Sequence, residues 1–219
     1  MKNWINIHTH RPGRGVSIVD PCLGEVVLPE EGVVYYSAGV HPLLAGEDAE
    51  ERLAEVERLA REGRIVAVGE AGMDRNAAAP MERQVAWFEA QVRWAAEYGL
   101  PVIVHGVRVV PELVAVAKRY MGKGDRWIVH GFNNRRKVLQ ELLRHGFYIS
   151  VGRQLMNRES HAYRLLPEIP AERLFLETDN SEYAIEEVYG QAAERLEIGT
   201  ETLQRMVEDN FKRVFTKIG

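Results

Sequence analysis

From about residue 47 onward, short apolar or β-branched runs alternate with stretches whose apolar residues recur at helical spacing. The runs are Arg64–Gly69, Leu100–Val104, Arg126–Val129, Phe147–Val151 and Arg173–Leu176. Between them, Met81, Val85, Phe88, Val92 and Ala95 share one helical face, with Pro80 suited to the first turn and Gly99 to the exit. Leu113, Val114 and Ala117 repeat the pattern, as do Val138, Leu139, Leu142 and Leu143. The last stretch carries Leu203, Met206, Val207, Phe211, Val214 and Phe215. Strands that read as continuous apolar runs are buried on both faces, and helical crossovers between them make neighbours parallel. A closed barrel and a doubly wound open sheet both satisfy this pattern.

The first 46 residues break the rhythm. Trp4–Ile7 reads as a strand, but no helical stretch follows it. Val16–Val19 and Glu25–Leu28 flank Asp20-Pro21-Cys22-Leu23-Gly24, which reads as a turn or a hairpin. Val33–Ser37 reads as the next core strand. No repeat or linker interrupts the chain, and 219 residues are enough for one sizeable core, so residues 1–219 are expected to form a single domain.

Net charge is −4 with no block of like charge, which argues against sequence-blind coating of nucleic acid or anionic lipid. The lone cysteine, Cys22, can form neither an internal disulfide nor a thiolate metal site. No apolar run has the length of a membrane span, and Met1–His8 lacks the pattern of a signal peptide. A soluble cytoplasmic protein with no membrane partner is expected.

The chemistry collects where the strand-like runs end. Trp4–Ile7 leads into His8-Thr9-His10, Ile65–Gly69 into Glu70 with Asp74 beyond, Val102–Val104 into His105, Trp127–Val129 into His130, and Leu174–Leu176 into Glu177-Thr178-Asp179. In parallel α/β folds the carboxyl ends of the strands converge on the functional face. A single histidine there is more often a structural hydrogen-bonding residue, and a single acid is often a helix cap. Five such endings with one chain polarity are not explained that way. His8 and His10, two apart on an extended strand, share a face and can grip one ion. Four imidazoles and two carboxylates suit two divalent cations sharing a bridging carboxylate. Nitrogen-rich ligation without thiolate favours zinc, manganese, iron or cobalt over an all-oxygen magnesium or calcium site.

The blocks His8-Thr9-His10, Gly39-Val40-His41-Pro42, Ala67–Asp74, Leu100–His105, Val129–Phe132, Glu177-Thr178-Asp179 and Asn210 occur in an order that resembles the TatD-type metal-dependent hydrolases, a branch of the amidohydrolase-like TIM barrels. The resemblance runs over nearly the whole chain. It implies an α/β fold, a TIM (β/α)8-type barrel of parallel strands whose second β/α unit is eroded near the amino terminus. It implies that His8, His10, Glu70 and Asp179 hold one metal ion, and Glu70, His105 and His130 a second. The pair would be divalent, drawn from zinc, manganese and magnesium. The implied activity is hydrolysis of phosphodiester bonds in DNA by a metal-activated water at that binuclear site, with Glu70 and Asp179 as catalytic residues and DNA or another phosphoester as the partner. Asp179 would orient the water or take its proton.

The chain departs from the family pattern in five places. Asn6 stands where an Asp is usual, no helix follows His10, and Arg108 lies three residues after His105 rather than two. His130-Gly131-Phe132-Asn133-Asn134 replaces a different loop, and Asn180-Ser181-Glu182-Tyr183 leads almost directly into a helix where a long substrate loop is usual. The metal core is thus expected intact and the substrate-gripping loops trimmed.

Arg11, Arg14, Arg108, Arg135, Arg136 and Lys137 follow strand ends and form a set from which one or two phosphate contacts are expected, aided by backbone donors at a helix start near Arg135. His41 is read as facing substrate or supporting ligands, Glu177 as a structural partner, and Asp74 as a brace for the Glu70 loop. His145 and His161 are read as surface residues. Phe132 and Tyr183 are candidates to stack a base. Two other functions remain: hydrolysis of another ester or amide bond, such as D-aminoacyl-tRNA deacylation, and a non-enzymatic metal-binding barrel. Six retained ligand positions argue against the last.

Overall fold

The apolar runs become parallel strands. The computed structural model describes residues 4–21, 32–122 and 126–218. The strands are β1 (Ile5–Thr9), β2 (Val16–Val19), β3 (Val33–Ala38), β4 (Ala67–Asp74), β5 (Val102–Val107), β6 (Trp127–Val129), β7 (Tyr148–Val151) and β8 (Leu174–Leu176). They follow one another around a single parallel sheet in chain order. Beyond β8, Asp179 N–H donates to the His8 carbonyl at 3.0 Å and the Asp179 carbonyl accepts from His10 N–H at 3.1 Å. First and last strands therefore meet, which closes the barrel and rules out the open doubly wound sheet.

The helices are α1 (Ala49–Arg61), α2 (Met81–Tyr98), α3 (Val110–Tyr120), α4 (Arg136–Arg144), α5 (His161–Leu165), α6 (Ile185–Leu196) and α7 (Thr200–Val214). Pro80 caps the start of α2 and Gly99 ends it at φ +67°, a left-handed conformation that costs glycine little. Trp87, Phe88, Val92 and Ala95 are the buried face of this helix. Phe88 meets Trp127 edge-on at 5.5 Å between ring centroids, and Trp127 meets Phe147 at 5.8 Å. Each such pair adds ~0.5–1.5 kcal/mol beyond the area it buries.

Two helices of the carboxyl half are tied to the barrel by buried polar groups. The Tyr189 hydroxyl of α6 donates to the Ile5 carbonyl at 3.1 Å and accepts from Ile5 N–H at 3.3 Å, and burial pushes its pKa up. Asn210 of α7 donates to the carbonyls of Ala171 and Leu174 at 2.8 and 2.9 Å. Its place in the family pattern is thus met by a role in docking α7 onto β8, away from the metal-ligand candidates.

Two expectations are corrected. Val16–Val19 is not one arm of a hairpin: it pairs in parallel with both β1 and β3, while Cys22 and Glu25–Leu28 lie outside the described residues. And β3 is only partly a core strand; Ser37 alone of its six residues is buried, and Val33 is 49% exposed. Residues 10–15 between β1 and β2 hold no helix, as the sequence implies. No helix among the described residues is long and apolar enough to cross a membrane.

Candidate metal centre

Strands β1, β4 and β5 run further than their apolar runs, β4 the furthest. The expected strand stops at Gly69, yet β4 continues through Glu70 to Asp74, with every residue buried. It pairs with β5 at Gly72–His105, Met73–Gly106 and Asp74–Val107 after a shift in register between Val68 and Ala71. The continuation needs glycine. A Cβ on Gly72, at φ +157°, would strike the His105 carbonyl oxygen. Glu70 is therefore set inside a strand, within the register shift between Val68 and Ala71, and its N–H is held by the Asp20 carboxylate rather than by the ladder.

Around Glu70 the expected ligands come together. His8 Nε2 lies 3.1 Å from Glu70 Oε2 and 3.8 Å from Asp179 Oδ1, and His10 Nε2 lies 3.6 Å from the same Asp179 oxygen. On the other side, His105 Nδ1 and His130 Nε2 approach Glu70 Oε1 at 2.6 and 2.7 Å and each other at 3.5 Å. Bonds of about 2.1 Å to zinc would put neighbouring ligand atoms roughly 3–3.5 Å apart, so the spacing suits a metal on either side of Glu70.

The outer ring nitrogens are held as ligating histidines require. His10 Nδ1 donates to the Asp20 carbonyl at 2.8 Å, His105 Nε2 to Asp74 Oδ2 at 3.0 Å, and His130 Nδ1 to Glu177 Oε1 at 3.4 Å. In the neutral ring each bond places the proton on the outer nitrogen and leaves a lone pair on the inner one, directed at Asp179 in His10 and at Glu70 in His105 and His130. His8 Nδ1 is buried with no hydrogen-bond partner. Asp74 thus orients His105 and does not brace Glu70, while Glu177 has the structural part expected of it and also accepts from Gly131 N–H at 2.6 Å.

His41 is different. It sits 3.1 Å from Glu70 Oε1 and 3.2 Å from His105 Nδ1, close enough to be counted with Glu70 and His105 as a ligand group. Its Nδ1, however, accepts a hydrogen bond from Leu43 N–H at 3.1 Å. A nitrogen that accepts carries no proton, so the neutral ring has its proton on Nε2 and presents a donor to the centre, not a lone pair.

Burial alone would push the Glu70 carboxyl up, but His130, His105 and His41 outweigh it and hold the group well below the usual carboxylate range. Burial likewise works against a charged His130, yet Glu70 and Glu177 raise it well above its ordinary value. His8 is raised too, burial being outweighed chiefly by its hydrogen bond with Glu70. Only the neutral ring ligates. Metal uptake is therefore expected to expel protons, and affinity to fall by about tenfold for each such histidine per unit that the pH drops, beginning above the ordinary histidine range. Calorimetric titration with zinc in two buffers of different ionisation heat measures this; affinity flat between about pH 6 and pH 8 contradicts it.

One positioning residue escaped the sequence reading. Asp20, buried at the end of β2, accepts from Glu70 N–H at 2.7 Å while its carbonyl holds the His10 ring. The signal was present, since Val16–Val19 is another apolar run ending in a carboxylate, but assignment to a hairpin hid it. Asn6 lies in the strand, bonded through its amide to Thr178 Oγ1 at 2.8 Å and Thr178 N–H at 3.1 Å, so it joins β1 to the chain after β8. Phe132, 3% exposed, packs in the core rather than offering a free stacking face, whereas Tyr183 is 44% exposed. Arg136 is paired with Glu168, and His145 with Glu141. His161 is exposed on α5.

Fold and centre together define a class: a parallel β/α barrel with a histidine–carboxylate cluster able to hold divalent metal at the carboxyl ends of its strands. Comparison with known proteins narrows it. Residues 25–216 match the family described as TatD related DNase, and the chain belongs to that family. The matched span excludes His8 and His10, whose place at the centre rests on the geometry above. The chain is 37% identical over 147 residues to the 3′-5′ ssDNA/RNA exonuclease TatD of Erwinia tasmaniensis, covering 65% of this chain and 56% of that protein. It is 28% identical over 204 residues to the uncharacterized metal-dependent hydrolase YabD of Bacillus subtilis, covering 86% and 80%. The crystal structure of YJJV, a TatD homologue from Escherichia coli, superposes with a TM-score of 0.72 at 25% identity over 84% of this chain and 77% of that one. The match thus spans little more than half the length of the curated exonuclease relatives.

Proposed function

We propose that the chain is a metal-dependent hydrolase that cleaves phosphodiester bonds at the end of a single nucleic-acid strand. The supporting observation is the division of one carboxylate: Glu70 Oε2 faces His8, and Glu70 Oε1 faces His105 and His130. That is the arrangement a bridging ligand needs. Two divalent ions, one held by His8, His10, Glu70 and Asp179 and one by Glu70, His105 and His130, would supply Lewis acidity toward water and phosphate oxygen.

The chain's own groups divide the remaining work. Asp179 is 26% exposed, against 5% for Glu70 and 1% for Glu177, so it is the carboxylate an attacking water can reach to surrender its proton. Its backbone is left-handed, φ +53°, and both its N–H and its carbonyl are tied to β1, which holds the side chain at the mouth. His41 directs its Nε2 donor at Glu70 Oε1, beside the region where charge would develop on phosphate oxygens. Arg108, His130 and Asn133 line a cavity of about 210 Å³ beside the start of α4, whose first turn carries no acid. Arg11 and Tyr183 line another of about 480 Å³ beyond Thr178. The first adjoins the centre through His130 and suits phosphate, and the second, lined also by Glu182 and Glu186, offers Tyr183 to a base of a strand end, in keeping with the names of the exonuclease relatives.

Substitution separates donor from ligand. His130→Ala is expected to lower bound metal, whereas His41→Ala is expected to keep the metal content and lower turnover about 100-fold. Elemental analysis beside a rate measurement decides it; metal lost from the His41 variant makes His41 a ligand. The function itself is tested by metal-loaded protein on a 3′-ended single-stranded oligonucleotide, a D-aminoacyl-tRNA mimic and a small phosphomonoester. Preferred turnover of the oligonucleotide, abolished by chelation, is the expected result. Preference for the aminoacyl ester overturns the phosphodiester assignment, and full activity without metal overturns the mechanism.

A further inference from the structure

The barrel has a second polar concavity, on the face opposite the metal centre. Arg126 and Arg173 stand directly before β6 and β8, Lys118 lies in the last turn of α3 and Arg213 in the last turn of α7. All four are therefore at the amino-terminal end of the barrel. They line a cavity of about 520 Å³ with Tyr148 and His145, and among the described residues no acid lines it. That volume is within the range of small-molecule sites.

Capping of carbonyl groups accounts for part of this cluster. Arg126 donates to the Gly99 carbonyl at 3.1 Å and to Thr216 Oγ1 at 3.0 Å, Arg173 to the Gly146 carbonyl at 2.7 Å, and Arg213 to the Glu172 carbonyl at 3.4 Å. Several donors are left over. Arg126 Nε is buried without a hydrogen-bond partner. Arg173 has one hydrogen bond for five N–H groups, and its guanidinium carbon lies 4.6 Å from the Tyr148 ring centroid. Among the described residues Lys118 has no polar partner, and none of the four cations has a carboxylate within ion-pair distance. Other arginines, Arg52, Arg58, Arg75 and Arg136, are paired with acids. Four cations lining one cavity, offset among the described residues by carbonyl groups and helix ends but by no carboxylate within ion-pair distance, repel one another, in a chain whose net charge is −4.

We propose that this cavity binds a small anion with two linked phosphoryl groups, a diphosphate or the diphosphate of a nucleotide. A diphosphate carries roughly −3 near neutral pH against about −1.5 to −2 for a single phosphate, so it offsets more of the four cations. Guanidinium forks supply paired donors to phosphate oxygens, and Lys118 adds a mobile point charge at the rim. The ring of Tyr148 keeps the Arg173 plane from turning away. This site is separate from the metal centre and stands or falls independently of the activity proposed there.

Calorimetric titration of the metal-loaded full chain with pyrophosphate, adenosine diphosphate and inorganic phosphate tests the proposal. Saturable binding of pyrophosphate or adenosine diphosphate, one per chain and persisting in Asp179→Asn, is expected. The doubly exchanged Lys118→Glu/Arg213→Glu protein, with an unchanged melting temperature, should bind at least about tenfold more weakly. Should that protein not fold, Lys118→Ala removes one exposed, unpartnered charge and should still weaken binding about threefold. Pyrophosphate and adenosine diphosphate binding equally marks the diphosphate alone as the recognised group; tighter adenosine diphosphate adds a contact to the nucleoside, and both support the site. No saturable binding, binding insensitive to these exchanges, or inorganic phosphate binding as tightly as pyrophosphate overturns it.

Discussion

Glu70→Gln is expected to lower kcat/KM on a 3′-ended oligonucleotide by about 10,000-fold, a loss of ~5 kcal/mol of transition-state stabilisation. The reason is its double engagement: one oxygen faces His8, the other His105 and His130, so a single substitution damages both candidate metal sites. An amide keeps the size of the side chain but offers one weak oxygen ligand instead of two charged ones. It also removes the negative charge that raises His8 and His130, which changes the charge balance of the whole cluster. Metal per chain by elemental analysis should fall together with the rate. A Glu70→Gln protein that kept its metal and worked within about tenfold of the parent would refute the bridging role.

Gly72→Ala is expected to cost about 3 kcal/mol of stability and to lower Tm by roughly 6–12 °C. A Cβ at this position would meet the backbone of His105, and backbone cannot swing aside as a flexible side chain can. Relief requires β4 and β5 to separate where they deliver Glu70 and His105, so metal affinity should drop along with stability. Gly190→Ala is the control. Its Cβ would meet nothing within 4 Å inside α6, and alanine there should stabilise by ~0.5–1 kcal/mol. Thermal melts of both variants, with and without added zinc, measure the contrast; equal effects would mean that the close approach of β4 and β5 is not tight.

The parts legible in the chain were those set by periodicity and polarity. The apolar runs at Val102–Val104 and Trp127–Val129 became β5 and β6, and the histidines that follow them arrived at one mouth because parallel strands all end on the same side. The stretch after Pro80 became α2 for the reason its spacing implies, a buried face of Trp87, Phe88 and Val92. The misreadings came where local pattern has no purchase. Val16–Val19 looked like a hairpin arm because turn residues follow it, and turn chemistry does not reveal whether the next strand returns beside it or comes round in parallel. Strand β4 outran its apolar run because pairing with β5 satisfies the backbone through Asp74, whatever the side chains are.

By itself, then, the sequence determined that imidazoles and carboxylates would follow strands of one direction, since alternation of period two and period 3.6 leaves few other ways to bury those runs. The tertiary structure alone decided which nitrogen of each ring faces inward, that His41 presents a proton while its neighbours present lone pairs, that Asp20 holds both Glu70 and His10, and that four unpaired cations meet at the far end of the barrel. Those outcomes depend on which group each ring nitrogen and carboxylate meets once the chain is folded, from Leu43 two residues from His41 to Asp20 fifty residues from Glu70, and a one-dimensional pattern carries no record of that.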